Sequence, residues 1–163
     1  MKNTIYIFLA VLLFSTSCSG LKNSRQARAE RELMKREDVR KALESQQMLI
    51  KVDRIYAHHG RIMDVNPRNN FIIIDRDRTR VSLAYFGKSF TIRPVAAINF
   101  TGKVNSGNMD TKEDGSYDLR FELGQENEKF DVSIKVSGTG YVNMTVTNPR
   151  IDFVRYSGTL GSL

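Results

Sequence analysis

Cysteine is almost absent from this sequence: of 163 residues only Cys18 is one. A small domain that is held together by disulfides carries an even set of cysteines, so the sequence excludes an internal disulfide framework. Beyond residue 14 no apolar run approaches the roughly 20 residues that a membrane-spanning helix needs. The chain is long enough to enclose an ordinary hydrophobic core without such cross-links.

Catalytic and metal-binding motifs are also missing. No Gly-x-Ser-x-Gly elbow and no phosphate-binding glycine loop occurs. The only histidines, His58 and His59, lack the further ligands that a structural metal site needs, which favours a solvated loop. Asp75 and Asp77 alternate with arginines, which favours a surface turn over a pair of catalytic acids. The sequence therefore predicts a protein that is not an enzyme and has no metal or cofactor.

The first twenty residues have the order of an export signal. Lys2 precedes an apolar run over residues 5–14, and small polar residues follow. Cys18 comes after a small residue, Ser17, which is the spacing of the bacterial lipobox, where the cysteine thiol receives a diacylglyceryl group and the chain is cut before it. This pattern predicts a signal peptide over residues 1–17 and a lipid anchor at Cys18.

An ordinary signal peptide is the alternative interpretation of the same residues. Ser15 stands where a lipobox usually has an aliphatic residue such as leucine, and a signal peptidase would then cut near Ser17 or Gly20 and leave Cys18 unmodified. If the lipid is attached, residues 19–23 lack the acidic sorting signal that sends related lipoproteins to the cell surface. The sequence thus predicts an exported, membrane-anchored lipoprotein of the outer membrane that faces the periplasm.

The net charge of the chain is strongly positive, at +7. Only Lys2 among the charged residues is lost with the signal peptide, which leaves +6. A basic domain would normally suggest nucleic acid as a partner. Export argues against that partner, so the sequence predicts contact with the membrane through the lipid and no nucleic-acid binding.

A highly charged segment follows the cysteine. Residues 22–41 contain eight basic and four acidic residues and no glycine or proline, which predicts a helix from about Ser24 to Gln46. Its apolar residues form a patch only near its end. The patch consists of Val39, Ala42 and Leu43, with Gln46 on the same face. We expect the last turns to pack on the domain and the earlier turns to form a solvated stalk.

From Met48 onward the apolar residues follow the two-residue period of strands. Segments 117–123, 130–136 and 142–146 alternate cleanly, which indicates half-buried antiparallel strands joined by hairpin turns at 113–115, 125–128 and 138–140.

Earlier strands are predicted over residues 48–56, 80–86 and 97–104, and a last one over 152–157. The apolar run 71–74 is short enough for a strand that is covered on both faces. The fold class is therefore mainly β, an antiparallel meander of roughly eight to ten strands. A barrel and a sandwich fit the pattern equally well.

Several segments of the chain resemble one family of exported bacterial proteins. They are Tyr-Phe-Gly-Lys-Ser-Phe at 85–90, Ile-Asn-Phe at 98–100, and the runs 131–142 and 148–158. These are similar to the family known as domain of unknown function 4251 (DUF4251), and the resemblance extends from about Leu33 to Leu160. It implies export, often through a lipidated cysteine, and a β-rich domain. It implies no activity and no catalytic residues.

The aromatic run is the remaining candidate for a site. If its segment crosses the mouth of a barrel, Tyr85, Phe86 and Phe90 would line a pocket for a lipid or another hydrophobic ligand. If the segment packs inward, these rings belong to the core. Strand alternation puts Tyr85 and Phe86 on opposite faces, so at least one of them must be buried, and the core interpretation is favoured.

Three parts of the chain follow from this: a signal peptide over 1–17, an anchor site and charged stalk over 18–47, and a β-rich domain over 48–163. The predicted function is that of a lipid-anchored envelope protein with a non-enzymatic domain that binds an unknown envelope protein or a small hydrophobic ligand. The alternatives are a lipocalin-like carrier of a small hydrophobic ligand and an unrecognised envelope enzyme.

Overall fold

The computed structural model describes residues 19–57, 60–90, 95–125 and 128–163. Within these ranges it has one helix, α1, at Ser19–Ser45. The strands are β1 Gln47–Tyr56, β2 Ile62–Asp64, β3 Phe71–Asp75, β4 Arg78–Ala84, β5 Ala97–Thr111, β6 Tyr117–Gln125, β7 Glu128–Val136, β8 Tyr141–Asn148 and β9 Ile151–Ser162.

Two compact units divide the chain, residues 1–34 and residues 35–163. Of the first unit, the structure describes only helical residues from Ser19 on. The second unit contains the last turns of α1 and all of the strands named above. Within the described ranges, no helix has the length and apolar character that crossing a membrane requires.

The sheet is a closed antiparallel barrel, which decides between the two predicted architectures. From β3 to β9 each strand pairs with its neighbour in sequence, and β9 pairs with β1 to close the circle. The other edge of β1 pairs with β3 over residues 47–51 and with β2 over residues 54–56. The result is an eight-stranded barrel with β2 as one additional short strand, in agreement with the predicted meander.

Alternating apolar residues form these strands because one face of each strand must point into the barrel. In β7, Phe130, Val132, Ile134 and Val136 are all buried, whereas the residues between them are exposed. The apolar run of β3 differs from its prediction of two covered faces. Only Ile72 and Ile74 are buried, and Phe71 and Ile73 are half-buried on the outer face, where the Arg80 guanidinium lies 5.7 Å from the Phe71 ring centroid.

The interior of the barrel is filled by side chains. The largest fully buried ones are Tyr156, Ile50, Ile55, Ile72, Ile74, Leu83, Leu119, Leu123, Ile134 and Met144. The rings of Phe100 and Phe130 stack with centroids 5.1 Å apart, with Phe100 packed against the core. The centre of the barrel is therefore packed as a core of aliphatic and aromatic side chains.

The last turns of α1 belong to this core, as their apolar patch predicts. Val39, Ala42 and Leu43 are buried. Gln46 ends the helix in the left-handed region at φ 55°, a conformation typical of the residue after a helix. The Asp38 carboxylate accepts hydrogen bonds from the backbone N–H and the hydroxyl of Ser162 at the end of β9. These contacts fix the end of the helix to β9, where β9 pairs with β1 and closes the barrel.

Strand lengths differ from the predictions where the chain is polar. β5 continues seven residues beyond the predicted end at Val104, and β9 continues to Ser162 instead of 157. Residues 105–111 are exposed and mostly polar, with Met109 as the exception. Those from Ser106 on pair with β6, so backbone hydrogen bonds hold them where no apolar alternation exists. The three-residue β2 was not predicted. It pairs only with β1 and buries none of its side chains fully, so it shows no alternation of apolar and polar residues.

Candidate functional site: a cationic groove at the end of β6

Some of the predicted site residues lie outside the described residues. These are Cys18, the signal peptide over 1–17 and the adjacent histidines, His58 and His59. Asp75 and Asp77 form a tight surface turn between β3 and β4, in which Arg76 has φ 55°. The Asp75 carboxylate accepts a hydrogen bond of 2.9 Å from Gln47 Nε2, and this contact orders the turn.

The aromatic run after β4 is divided between core and surface. Tyr85 is buried, and its hydroxyl donates to the carbonyl oxygens of Lys88 and Asp152. Burial raises the pKa of the Tyr85 hydroxyl, so it stays a hydrogen-bond donor. Phe86 and Phe90 are exposed by 49% and 70%. At least one of Tyr85 and Phe86 is thus buried, as expected, but both lie beyond the end of β4 at Ala84, whereas the predicted strand extended to residue 86.

A wide groove lies on another part of the barrel. It lies where β6 ends and β7 begins, beside the start of β9, and has a volume of about 730 Å³. We call it the cationic groove. Its lining residues are Thr101, Gly102, Lys103, Asn105, Gly124, Gln125, Glu128, Lys129 and Arg150. Its volume is within the range of sites for small ligands.

Two glycines let the backbones around the groove approach closely. A Cβ on Gly102 would lie 2.2 Å from the carbonyl oxygen of Gly124, and a Cβ on Gly124 would lie 2.2 Å from the carbonyl oxygen of Glu128. Any larger residue at either position would push the strands apart. The two glycines therefore allow the backbones of β5, β6 and β7 to pack closely beside the groove.

Positive charge dominates the described lining. Lys129 forms a 2.8 Å ion pair with Glu122, and Glu128 accepts a 3.3 Å hydrogen bond from Asn148 Nδ2. Lys103 and Arg150 also line the groove, and neither forms an ion pair with an acidic residue in the described part of the chain. These two cations are suited to bind a negatively charged group.

Neutral polar groups supplement the cations. Gln125 Nε2 donates a 2.6 Å hydrogen bond to the carbonyl oxygen of Thr101, which holds the amide across the groove. Asn105 lies further along the same wall. Among the residues that the structure describes, no group of three or more His, Cys, Asp or Glu side chains is placed to hold a metal ion. The groove is equipped for electrostatic and hydrogen-bonded recognition.

Sequence reasoning missed this groove for a physical reason. Its cations, at positions 103, 129 and 150, come from different strands and turns, so they form no linear motif. The available signal was the pair of strand glycines, Gly102 and Gly124, because a glycine in a strand often marks a close backbone approach.

Comparisons with known proteins agree with this architecture. The family described as "Domain of unknown function (DUF4251)" matches residues 30–160. The chain belongs to the DUF4251 family. This confirms the resemblance that the segments at 85–90, 98–100, 131–142 and 148–158 indicate.

A solved structure extends the comparison to the fold. The crystal structure of a DUF4251 family protein from Bacteroides eggerthii is similar, with a TM-score of 0.68, 18% identity, and coverage of 79% of this chain and 88% of that one. At this identity the likeness concerns the fold alone. No curated protein matches the chain.

Proposed function

We propose that this DUF4251 protein is a lipid-anchored cell-envelope protein whose barrel is a non-enzymatic binding module for an anionic oligosaccharide of the envelope. The observation that carries the proposal is the cationic groove, where Lys103 and Arg150 line a space of about 730 Å³ together with the exposed polar side chains of Asn105 and Gln125. Acidic groups of the ligand pair with the two cations. Its hydroxyl groups bond to the side chains of Asn105 and Gln125.

The packed interior supports recognition at the groove over the carrier alternative. A lipocalin-like carrier needs an apolar cavity inside the barrel, and the central positions here are occupied by residues such as Ile50, Leu119 and Ile134, which are fully buried. Tyr85, the inward member of the aromatic run, is part of the same core. The proposal therefore assigns the ligand to the surface of the barrel.

The first expected result concerns charge in the groove. Lys103→Gln and Arg150→Gln should each weaken binding of a short oligogalacturonate, a chain of uronic acids, by about tenfold or more, because a hydrogen bond to a charged group contributes about 1.5–3 kcal/mol. Lys135→Gln is the matched control, since it removes an exposed cation of β7 that does not line the groove. Isothermal titration calorimetry of the full chain measures the affinities.

A neutral maltooligosaccharide of the same length separates charge from shape. We expect no measurable binding of it, and we expect added salt to weaken the binding of the uronic acids. Equal binding of both sugars, or equal loss of affinity in the Lys135→Gln control, would contradict the assignment to Lys103 and Arg150.

The anchor is proposed from the order of parts in the sequence. Cys18 follows an apolar signal-like run, and a charged helical segment leads from there into the barrel. After cleavage at Ser17, a diacylglyceryl group on Cys18 holds the protein at the outer membrane, facing the periplasm. The membrane is then the first partner of the protein, and the lipid makes the contact. The proposal includes no nucleic-acid partner.

Metabolic labelling with a radioactive fatty acid tests the anchor. The wild-type chain should be labelled and should sediment with membranes, whereas Cys18→Ala should lose the label and move to the soluble envelope fraction. Ser19→Ala is the control, since it leaves the thiol in place. An unlabelled wild-type chain, or membrane association unchanged in Cys18→Ala, would rule out lipidation but would leave the proposal for the groove unaffected.

A further inference from the structure

A second cleft lies on the outer face of the barrel, where β1, β9, β8 and β7 run side by side. It has a volume of about 360 Å³, and we call it the tyrosine cleft. It shares no lining residue with the cationic groove. The lining residues with exposed or half-buried side chains are Tyr56 of β1, Arg155 of β9, Asn143 and Thr145 of β8, and Ser133 and Lys135 of β7.

Strand register brings the lining residues of the tyrosine cleft together. Arg155 stands directly opposite Tyr56 on one side and opposite Thr145 on the other. Thr145 in turn stands opposite Ser133. Residues that are directly opposed in an antiparallel sheet point to the same face, with Cβ atoms about 4.5–5.5 Å apart. Backbone pairing therefore fixes the positions of these four side chains.

An aromatic ring holds the cation at the centre of this row. The guanidinium carbon of Arg155 lies 5.6 Å from the centroid of the Tyr56 ring, which is a cation–π distance. Arg155 forms no ion pair with an acidic side chain that the structure describes. The ring thus orients the guanidinium without neutralising it, and its N–H groups are suited to bind an anion.

The hydroxyl of Tyr56 is a second polar group at this place. It lies 3.4 Å from the buried hydroxyl of Ser157. Hydrogen bonds with Ser157, Arg54 and Tyr141 lower the pKa of the Tyr56 phenol, because they favour negative charge on its oxygen. A hydroxyl that is polarised in this way donates a stronger hydrogen bond to a further acceptor.

We propose that the tyrosine cleft binds a phosphate monoester, with the phosphate group held by the Arg155 guanidinium and the Tyr56 hydroxyl. The lining carries two cations and no acidic residue, so its charge complements the phosphate, which is close to a dianion at neutral pH. Hydroxyl and amide side chains of β7 and β8 supply donors for the other phosphate oxygens. A volume of about 360 Å³ also leaves space for the organic part of the ester.

Another arginine of the barrel shows what distinguishes the tyrosine cleft. The Arg80 guanidinium lies 5.7 Å from the centroid of the Phe71 ring, so it has the same kind of aromatic support as Arg155. Phe71 has no hydroxyl, and neither Arg80 nor Phe71 lines the tyrosine cleft or the cationic groove. An arginine on a ring is therefore not a site by itself. The proposal depends on the further donors around Arg155.

Calorimetric titration of the full chain with glycerol phosphate tests the site. We expect saturable binding that Arg155→Gln weakens by about tenfold or more, because a hydrogen-bonded charge is lost. Tyr56→Phe keeps the ring beneath the guanidinium and should weaken binding severalfold through the hydroxyl alone. Arg80→Gln is the matched control and should bind as the wild type does. Equal losses in Arg155→Gln and Arg80→Gln, or no saturable binding by the wild type, would overturn the proposal.

Further titrations identify the ligand class and separate the two sites. Glycerol should not bind, and inorganic phosphate should bind more weakly than the ester, because its organic part fills more of the cleft. Free phosphate that binds as tightly as the ester would overturn the assignment to a monoester. An excess of the short oligogalacturonate should leave the affinity for glycerol phosphate unchanged, and competition between them would overturn a separate site. The effect of Arg155→Gln on the ester does not depend on any ligand of the cationic groove.

Discussion

Gly158→Ala should force β1 and β9 apart where they close the barrel. We expect it to lower the free energy of unfolding more than any conservative change on the barrel surface. Gly158 lies in β9 directly opposite Val52 of β1, at the pairing that closes the barrel. A Cβ there would lie 1.9 Å from the carbonyl oxygen of Lys51 and 2.9 Å from the Cα of Val52. Both contacts are with main chain, so no side-chain rotation relieves them.

A closed barrel cannot absorb this displacement at one edge. Moving β9 away from β1 breaks ladder hydrogen bonds at the seam, and moving both strands together disturbs their pairing with β8 and β3. We expect the free energy of unfolding to fall by about 3 kcal/mol or more, the size of effect associated with overpacking of a well-packed structure.

Urea unfolding followed by circular dichroism measures the change for Gly158→Ala. Thr159→Ala is the matched control: it lies next in β9, is exposed, and should change the free energy of unfolding by no more than about 0.5 kcal/mol. A loss below about 1 kcal/mol in Gly158→Ala would show that the strands separate more easily than a closed barrel permits.

The second large effect is expected at the end of α1. Leu43 is 3% exposed and belongs to the same core as the strands. Leu43→Asp would place a carboxylate among apolar side chains, where it must stay unpaired or take up a proton. We expect a loss of about 4 kcal/mol or more in the free energy of unfolding, since both the lost apolar contacts and the buried charge contribute.

Lys41→Asp provides the control for helix position and charge. It introduces the same aspartate two residues earlier, at an exposed site of the same helix. We expect it to cost no more than about 1 kcal/mol, from helix propensity and surface electrostatics. Similar losses in both variants in thermal and urea unfolding would mean that the end of α1 does not belong to the core.

The predictable parts of the fold were those in which burial dictates the residue type. β7 and β8 alternate because each inward residue must be apolar, and the patch of Val39, Ala42 and Leu43 marked the turns of α1 that pack. The second half of β5 escaped prediction because residues 105–111 are exposed, have Met109 as their one large apolar side chain and are held mainly by backbone pairing with β6. Alternation cannot report a strand that buries neither face.

Closure of the sheet was not visible in the sequence either. Barrel and sandwich differ in whether β1 pairs with β9, two strands separated by about a hundred residues. The residue that permits that contact is a single glycine, Gly158, whose role depends on a carbonyl of β1. The cationic groove could not be seen in the sequence for the same reason. Segments that are distant in sequence bring Lys103 and Arg150 to one place.

The aromatic run illustrates the limit of a local motif. Alternation led to the expectation that at least one of Tyr85 and Phe86 is buried, which Tyr85 meets, but it could not show that β4 ends before both or what the buried hydroxyl does. The structure shows that it bonds to the carbonyls of Lys88 and Asp152, which ties the segment after β4 to the start of β9. The most recognisable motif of the chain thus has a clear structural role in the packing of the barrel.

Mapping the bound oligogalacturonate by NMR tests the central claim most directly. In a titration of the isotope-labelled full chain, we expect the largest amide shifts at Lys103, Gly124 and Arg150, around the cationic groove. Amides of the exposed aromatic residues Phe86 and Phe90 should stay unchanged. Shifts concentrated at those aromatic residues, or no shifts at concentrations that saturate the calorimetric signal, would contradict the claim that the groove is the binding site.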